Sequence, residues 1–378
     1  MSGLQLKITR KIEGISALEW LSVFPQVLEN YYFFKSLDEA KFEQFSFYYI
    51  LVTHNGVPVG ATSCFTMRFA FDSKVRGFLK FIIDCIKKIF PHILNPKALV
   101  CGLPMGQGRI GITTDSNQVM QAICSGMEQI AQEERAALFI FKDFTAAYDE
   151  AFRPLLKKGF FKIESLPSTE MEINFNSFED YLKTLSPASR EGLKRKFKKV
   201  DGKVKIDLEI TGALEDGIIP QVHALYLQTL NKMDLGFEKV PPDFFGHISE
   251  NMPEEVKYFL WRIEGKLVAF AFCLVRSGHF IDYYLGFDYS VAYEYHLYFI
   301  RFRDLMKWCI AHGVKKYEMG VTTYEPKRRL GFDFIRLYFY IKHRNRLFNP
   351  LAKIIGCFIK PENFDPVFKY MEKDKAAA

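Results

Sequence analysis

The sequence predicts a mixed α/β protein made of two successive copies of one fold, each of about 180 residues, a size that suits a single core. Three observations predict it. The chain has 378 residues, beyond the roughly 250–300 at which one hydrophobic core stops growing. Apolar residues switch repeatedly between alternation and helical spacing, as strands and helices require. The same order of segments also reads twice: a hairpin, a third strand, a helix launched from a loop, a further strand, a helix and a closing strand.

In the first half, Phe45 to Val52 reads as a strand, His54-Asn55-Gly56 as a tight turn and Val57 to Arg68 as the antiparallel partner. Ala98 to Leu103 is a short apolar strand that ends in a glycine-rich loop. Asp115 or Ser116 caps a helix whose apolar positions Val119, Ile123, Met127, Ile130 and Ala131 share one side. Leu138 to Phe141 is a short buried strand and Tyr148 to Leu156 a helix, and after Lys158-Gly159 comes a last extended segment.

In the second half, Val204 to Ile210 is a strand and Ile218 to Met233 a helix. Val256 to Ile263 and Leu267 to Arg276 form a hairpin about Glu264-Gly265-Lys266, and His279 to Gly286 is a further strand. Glu294 to His312 is a long helix with Tyr298, Phe302, Leu305 and Cys309 inward, stopped by Gly313. Tyr317 to Gly320 is a short strand and Phe334 to Lys342 the last one. The join falls near Pro167 to Phe178, giving domains 1–175 and 176–378.

Composition narrows the class. Hydrophobic residues make up 49% and aromatic residues 16%, too apolar for a disordered chain. Mean hydropathy is −0.05 and no apolar run reaches the roughly 18–20 residues of a membrane span. The start lacks a secretory pattern, so the expected location is the cytoplasm, with peripheral contact on the inner face of the membrane as a further option. The 7 Cys are single, without a C-x-x-C pair, and the 8 His are dispersed, so neither a disulfide framework nor a metal site is expected. A formal charge of +7 tilts the partner toward an anion: a nucleotide-bearing cofactor, an acidic lipid surface or RNA.

Particular residues carry a resemblance. Leu185 to Lys196 (LSPASREGLKRK), Tyr293-Glu294-Tyr295-His296, Tyr317-Glu318-Met319-Gly320, Tyr324-Glu325-Pro326-Lys327 and Gly331-Phe332 are similar to motifs of the tandem-GNAT, FemAB-like acyltransferases. That group contains peptidoglycan-bridge transferases and uncharacterised N-acyltransferases. The resemblance spans nearly the whole chain and is strongest from Phe178 to Asn345. It implies two tandem GNAT-like acyl-CoA N-acyltransferase domains, the C-terminal one catalytic. The implied reaction moves an acyl group from a thioester, acyl-CoA, to a small-molecule or lipid-linked amine by direct attack in a ternary complex. Two alternatives stay open: a Fem-type transferase that draws on aminoacyl-tRNA, and a non-catalytic pair that binds an anionic lipid or a partner protein. One departure stands out. The Q/R-x-x-G-x-G/A pyrophosphate loop of GNAT enzymes is replaced in the second half by Phe287-Asp288-Tyr289-Ser290-Val291-Ala292-Tyr293, whereas the first half holds Gly106-Gln107-Gly108-Arg109-Ile110-Gly111.

Candidate site residues follow. Glu294 and His296 open the long helix, whose dipole favours carboxylate and neutral imidazole, so either can take the ammonium proton. Glu318 follows a short strand at the expected crevice, and the resemblance places Tyr324 where many GNAT enzymes protonate the departing thiolate. Leu285, Tyr289, Ser290, Val291, Ala292 and Tyr293 are the expected cofactor contacts, with a backbone N–H near Leu285 for the oxyanion. Arg190, Lys194 and Lys198 form a ridge behind the capping Ser186 and Pro187, and Lys327 and Arg329 offer further cations, so these five are the expected anion-binding residues. The same charges also read as a solvated helix face and a salt-bridged turn, with Glu325 pairing Lys327. Lys74 to Phe90 is a basic amphipathic segment within an insertion at 72–96, which either lies on an anionic bilayer or covers the sheet. The tail Leu347 to Phe358 raises the same choice.

Overall fold

Where apolar residues alternate, this computed structural model forms strands, and where they recur at helical spacing it forms helices packed on them. It describes residues 3–68, 96–232, 238–357, 360–363, 365 and 367–368. The amphipathic segment at 74–90 lies outside the described residues. In chain order the elements are β1 (Leu4–Thr9), α1 (Ala17–Val23), α2 (Tyr31–Glu39), β2 (Ser46–His54), β3 (Val57–Arg68), β4 (Lys97–Cys101), β5 (Ile110–Ile112), α3 (Ser116–Glu133), β6 (Leu138–Thr145), α4 (Asp149–Lys157), β7 (Phe161–Glu164) and β8 (Ser168–Glu172). They continue with α5 (Phe178–Thr184), α6 (Pro187–Asp201), β9 (Asp207–Thr211), α7 (Ile219–Lys232), α8 (Asp243–Asn251), β10 (Val256–Ile263), β11 (Lys266–Arg276), β12 (His279–Phe287), α9 (Leu297–Ala311), β13 (Lys316–Glu318), α10 (Tyr324–Arg329), β14 (Asp333–Ile335), β15 (Leu337–His343) and α11 (Asn349–Cys357).

Two compact units result, each with one mixed sheet. The first contains residues 1–25, 43–165 and 336–364, and the second residues 26–42, 166–335 and 365–378. This differs from the contiguous division at 175/176. The physical reason lies in the two closing strands, each of which is cut in two. The extended segment after Gly159 becomes β7 in the first sheet and β8 in the second. The expected strand Phe334 to Lys342 becomes β14 in the second sheet and β15 in the first. Strand order is β1-β2-β3-β4-β6-β15-β7, with β5 on β3, in the first sheet and β14-β8-β13-β12-β11-β10-β9 in the second.

In the first unit, Asn55-Gly56 takes φ of 52° and 81°, the geometry of a tight hairpin turn, and joins β2 to β3. Asp115 caps α3 by accepting from the Asn117 N–H at 2.9 Å, which satisfies an otherwise orphaned donor. Val119, Ile123, Met127 and Ile130 of α3 are buried in one core with Tyr48, Ile50, Cys64 and Phe141. α11 turns Ile355 and Gly356 inward and leaves Ile354 exposed; a Cβ on Gly356 would lie 2.8 Å from the Phe161 ring. The tail is thus a packing helix over β7.

In the second unit, α5, α6 and α9 cover one face of the sheet. Phe302, Leu305 and Cys309 are fully buried with Phe280, Tyr317 and Met171. α7 and α8 cover the other face, where Phe244 and Phe245 meet Tyr284 and Phe272. β12 and β13 run parallel for only three registered pairs, His279↔Lys316, Phe280↔Tyr317 and Ile281↔Glu318. Beyond them β12 continues alone on that edge to Phe287. The strands fork, and the fork positions the candidate site.

Candidate active site

The fork is lined by polar groups at positions where the pattern of the neighbouring residues would place core residues. A register shift on β12 opposes Tyr284 to Phe272 and Asp282 to Cys273, leaving Tyr283 as the extra residue. Such a bulge re-aims side chains. Asp282 thereby faces α9, where Arg301 stands in the apolar row between Leu297 and Leu305. Arg301 is 0% exposed and Asp282 6%. Arg301 Nη1 donates to Asp282 Oδ2 at 2.5 Å, and the Tyr317 hydroxyl donates to the same oxygen at 3.1 Å. Burial alone would lower the guanidinium pKa, but the Asp282 carboxylate more than offsets it and the pKa rises, so the guanidinium keeps its charge.

At the end of β13, Glu318 is buried. Its Oε1 accepts from the Ser168 hydroxyl at 3.1 Å, and its Oε2 lies 3.4 Å from His279 Nε2. Lys327 of α10 is also buried, and its ammonium donates to the carbonyls of Met319, Gly320 and Val321 at 2.7, 3.1 and 3.2 Å. Burial lowers its pKa to about 7, against the attraction of Asp282 and Glu318. It therefore clamps the loop after β13, and the expected roles of Lys327 as an exposed anion binder or as the partner of Glu325 are corrected. Glu325 pairs instead with Arg328 and Arg329, at 3.1 and 2.7 Å. Nearby, Thr322 and Thr323 hold φ of 71° and 54°, a conformation costly for β-branched residues. Tyr324 is 1% exposed, and its hydroxyl donates to the Pro167 carbonyl at 2.8 Å while its ring meets Phe334 and Phe368. It is an anchor, and its expected place as a proton donor is corrected.

Glu294 and His296 belong to a second group, at the turn into α9. The helix begins at Leu297, later than expected, because His296 adopts left-handed φ, ψ of 48°, 39°. Glu294 is exposed and pairs with Lys203, which sets it aside as a base. His296 is half-buried; burial, then Lys199 and Lys196, lower its pKa. On α6, Leu193, Phe197 and Val200 face inward, so Lys194, Arg195, Lys198 and Lys199 are exposed and Arg190 half-buried. Lys196 has its pKa lowered by burial, Arg195 and Arg329. Aromatic rings accompany these cations: Lys196 lies 4.8 Å from the Phe299 ring centre and Lys203 5.4 Å from that of Tyr295, while Lys232 of α7 lies over Tyr289 at 4.5 Å.

The loop 288–293 tests the fit of a CoA pyrophosphate, which needs uncommitted backbone donors. The Tyr289 N–H donates to Gln228 at 3.3 Å and the Ser290 N–H to the Asp288 carboxylate at 3.0 Å. The Val291 and Ala292 N–H groups both donate to the Asp288 carbonyl, at 3.1 and 2.9 Å. With these donors committed and the Asp288 carboxylate as their acceptor at Ser290, these residues do not fit the group. Leu285 differs. The Asp288 N–H donates to Val268 on β11 and the Phe287 N–H to Thr229 Oγ1. Alternation along a strand then turns the Leu285 N–H, like that of Phe287, to the edge away from β11, the forked one.

Sequence reasoning missed Asp282, Arg301, Tyr298, Ser168 and His279. The signal that could have found the first two is a charge inside an otherwise apolar strand and an apolar helix row.

Two curated relatives from Mycobacterium tuberculosis strains, each described as putative 8-amino-7-oxononanoate synthase 2, are 20% identical over 83% of this chain, which spans 42% of their length. The crystal structure of FemX is similar, with a TM-score of 0.57 and 12% identity over 93% of this chain and 100% of that one. A tandem GNAT protein from the clavulanic acid biosynthesis pathway has a TM-score of 0.50 and 10% identity over 90% of this chain and 99% of that one. The fold is therefore the tandem GNAT one. The FemAB-like model, described as peptidoglycan biosynthesis/recognition, matches residues 96–372, and the chain belongs to that family.

Proposed function

We propose that this protein is an amide-forming acyltransferase that works in the second unit's fork and takes its acyl group from an aminoacyl-tRNA. One observation carries the choice of donor: the N–H groups of Tyr289 to Ala292 are all committed, the first to Gln228 of α7 and the other three to Asp288, while α6 exposes a run of cations with aromatic rings. A polyanion with stackable bases suits that surface. In the reaction, the acceptor amine attacks the ester carbonyl carbon and a C–N bond forms. The oxyanion is held by the Leu285 N–H. Glu318, oriented by Ser168 and His279, takes the ammonium proton, and the C–O bond to the ribose breaks as that oxygen gains a proton. The family's description supports an amine of a peptidoglycan-type precursor, free or lipid-linked, as the acceptor.

Binding of an aminoacylated tRNA and of acetyl-CoA, measured over a salt series, tests the donor. The expected result is tRNA affinity falling steeply with salt, with a log–log slope that shrinks by roughly 2 in a Lys194→Glu, Lys198→Glu, Lys199→Glu triple variant. Saturable acetyl-CoA binding with salt-insensitive tRNA binding would transfer the role to acyl-CoA. Among the described residues no helix is long and apolar enough to cross a membrane.

A further inference from the structure

The Asp282–Arg301 pair leaves more hydrogen-bonding capacity in the fork than the described residues use. A guanidinium has five N–H donors in one plane. Arg301 uses Nη1 toward Asp282, but Nε and Nη2 have no partner among the described residues. These two nitrogens form one edge of the guanidinium, the edge that grips a carboxylate with two parallel hydrogen bonds. The Tyr298 hydroxyl, one turn earlier on α9, is buried and unpartnered as well, and its ring lies 5.6 Å from the Arg301 Cζ. Asp282 Oδ1 likewise has no donor among the described residues.

Buried donors and acceptors left without partners are costly, and cores seldom keep four such atoms on three adjoining residues. The surroundings are tightly apolar: Cys273, Cys309 and Phe302 are all fully buried. Sorted by chemistry, the unmatched atoms are three donors and one anionic acceptor. A lone carboxylate would satisfy the donors and meet Asp282 as a like charge. A lone ammonium would satisfy Asp282 and leave the donors empty. A group that carries both satisfies all four and keeps the buried site neutral.

We propose that the Tyr298–Arg301–Asp282 cluster is a binding subsite for a free α-amino acid head group. Its carboxylate lies against the Arg301 Nε–Nη2 edge and the Tyr298 hydroxyl, and its ammonium lies against Asp282 Oδ1. The subsite stands on hydrogen-bonding geometry alone, and its occupation is read without turnover, so failure of the acyl-transfer reading leaves it unaffected.

The test is NMR-detected titration of the full chain with glycine and L-alanine, with acetate and methylamine as half-ligands. Glycine and alanine should bind at least several-fold more tightly than either half-ligand. Tyr298→Phe, which removes one hydroxyl and keeps the ring, should weaken them roughly two- to tenfold, the worth of one hydrogen bond. Arg301→Lys, which loses the fork, should weaken them further. If circular dichroism shows that Arg301→Lys does not fold, Tyr298→Phe decides the matter alone. Absence of amino acid binding, equal binding of acetate, or unchanged affinity in Tyr298→Phe would each overturn the proposal.

Discussion

The two units contain the same parallel fork and treat it in opposite ways. In the first unit, β4 and β6 pair from Ala98↔Leu138 to Cys101↔Phe141, and the loop that follows β4 then lies in the opening. The Gly102 N–H donates to Ser63 at 3.0 Å and the Gly108 N–H to Asp143 at 2.9 Å. Lys142, Asp143 and Ser165 satisfy one another there. In the second unit, no such loop crosses the β12–β13 fork among the described residues, and buried polar atoms face one another across it. A duplicated framework therefore does not imply duplicated chemistry. Glycine permits the close approach in the first unit, because a Cβ on Gly108 would lie 2.2 Å from the Lys142 carbonyl oxygen. The glycines at 106–111, attractive as a phosphate loop, serve close packing: Gly111 likewise abuts Val23, at 2.2 Å from its Cγ1.

The contrast can be broken most directly at the two buried carboxylates. Glu318→Gln should lower kcat by about 100-fold or more, the usual worth of a positioned base. Asp143→Asn in the closed fork should leave kcat within about twofold of wild type. Equal losses in steady-state assays of the two variants would erase the asymmetry. The next effect concerns stability. Gly108→Ala should destabilise the protein by about 1–3 kcal/mol, read from denaturant unfolding, because the loop must leave the Lys142 carbonyl. Turnover below the transition should persist.

The smallest effect is a pH dependence. Burial lowers the Lys327 pKa to about 7 from its ordinary value of 10.5. Between those values the unfolded chain holds a proton that the folded chain has released, so the stability contributed by this group rises with pH across that window. It is lost as pH falls through about 7. The difference in Tm between wild type and Lys327→Met should therefore shift in favour of wild type from pH 7 to pH 9. A difference that stays flat over that range would mean that Lys327 keeps its proton.

Much of this was legible beforehand for physical reasons. Short apolar runs and the turn residues at Asn55-Gly56 and Glu264-Gly265 fixed both hairpins, and helical spacing with caps fixed α3, α6 and most of α9. The α6 residues Leu193, Phe197 and Val200 turned inward as their spacing required. Exchange of the closing strands was not legible. An apolar run such as Phe334 to Lys342 records that a strand will be buried but not which sheet will bury it, and only Arg336 marks the break. The site was half legible. Glu318 stood out by its place after a short strand, whereas Tyr324 and Lys327 looked exposed because nothing local tells a salt-bridged turn from one folded inward.

The position of β15 has a consequence for biosynthesis. Among the described residues β7 pairs only with β15, and β15 sits between β6 and β7. The first sheet is thus incomplete until residues 337–343 have left the ribosome, long after the rest of its strands. During that interval β6 presents an unpaired apolar edge, an invitation to aggregation. The N-terminal half is made first and finished last, so a nascent chain interrupted before Leu337 is a substrate for chaperones rather than a free-standing domain.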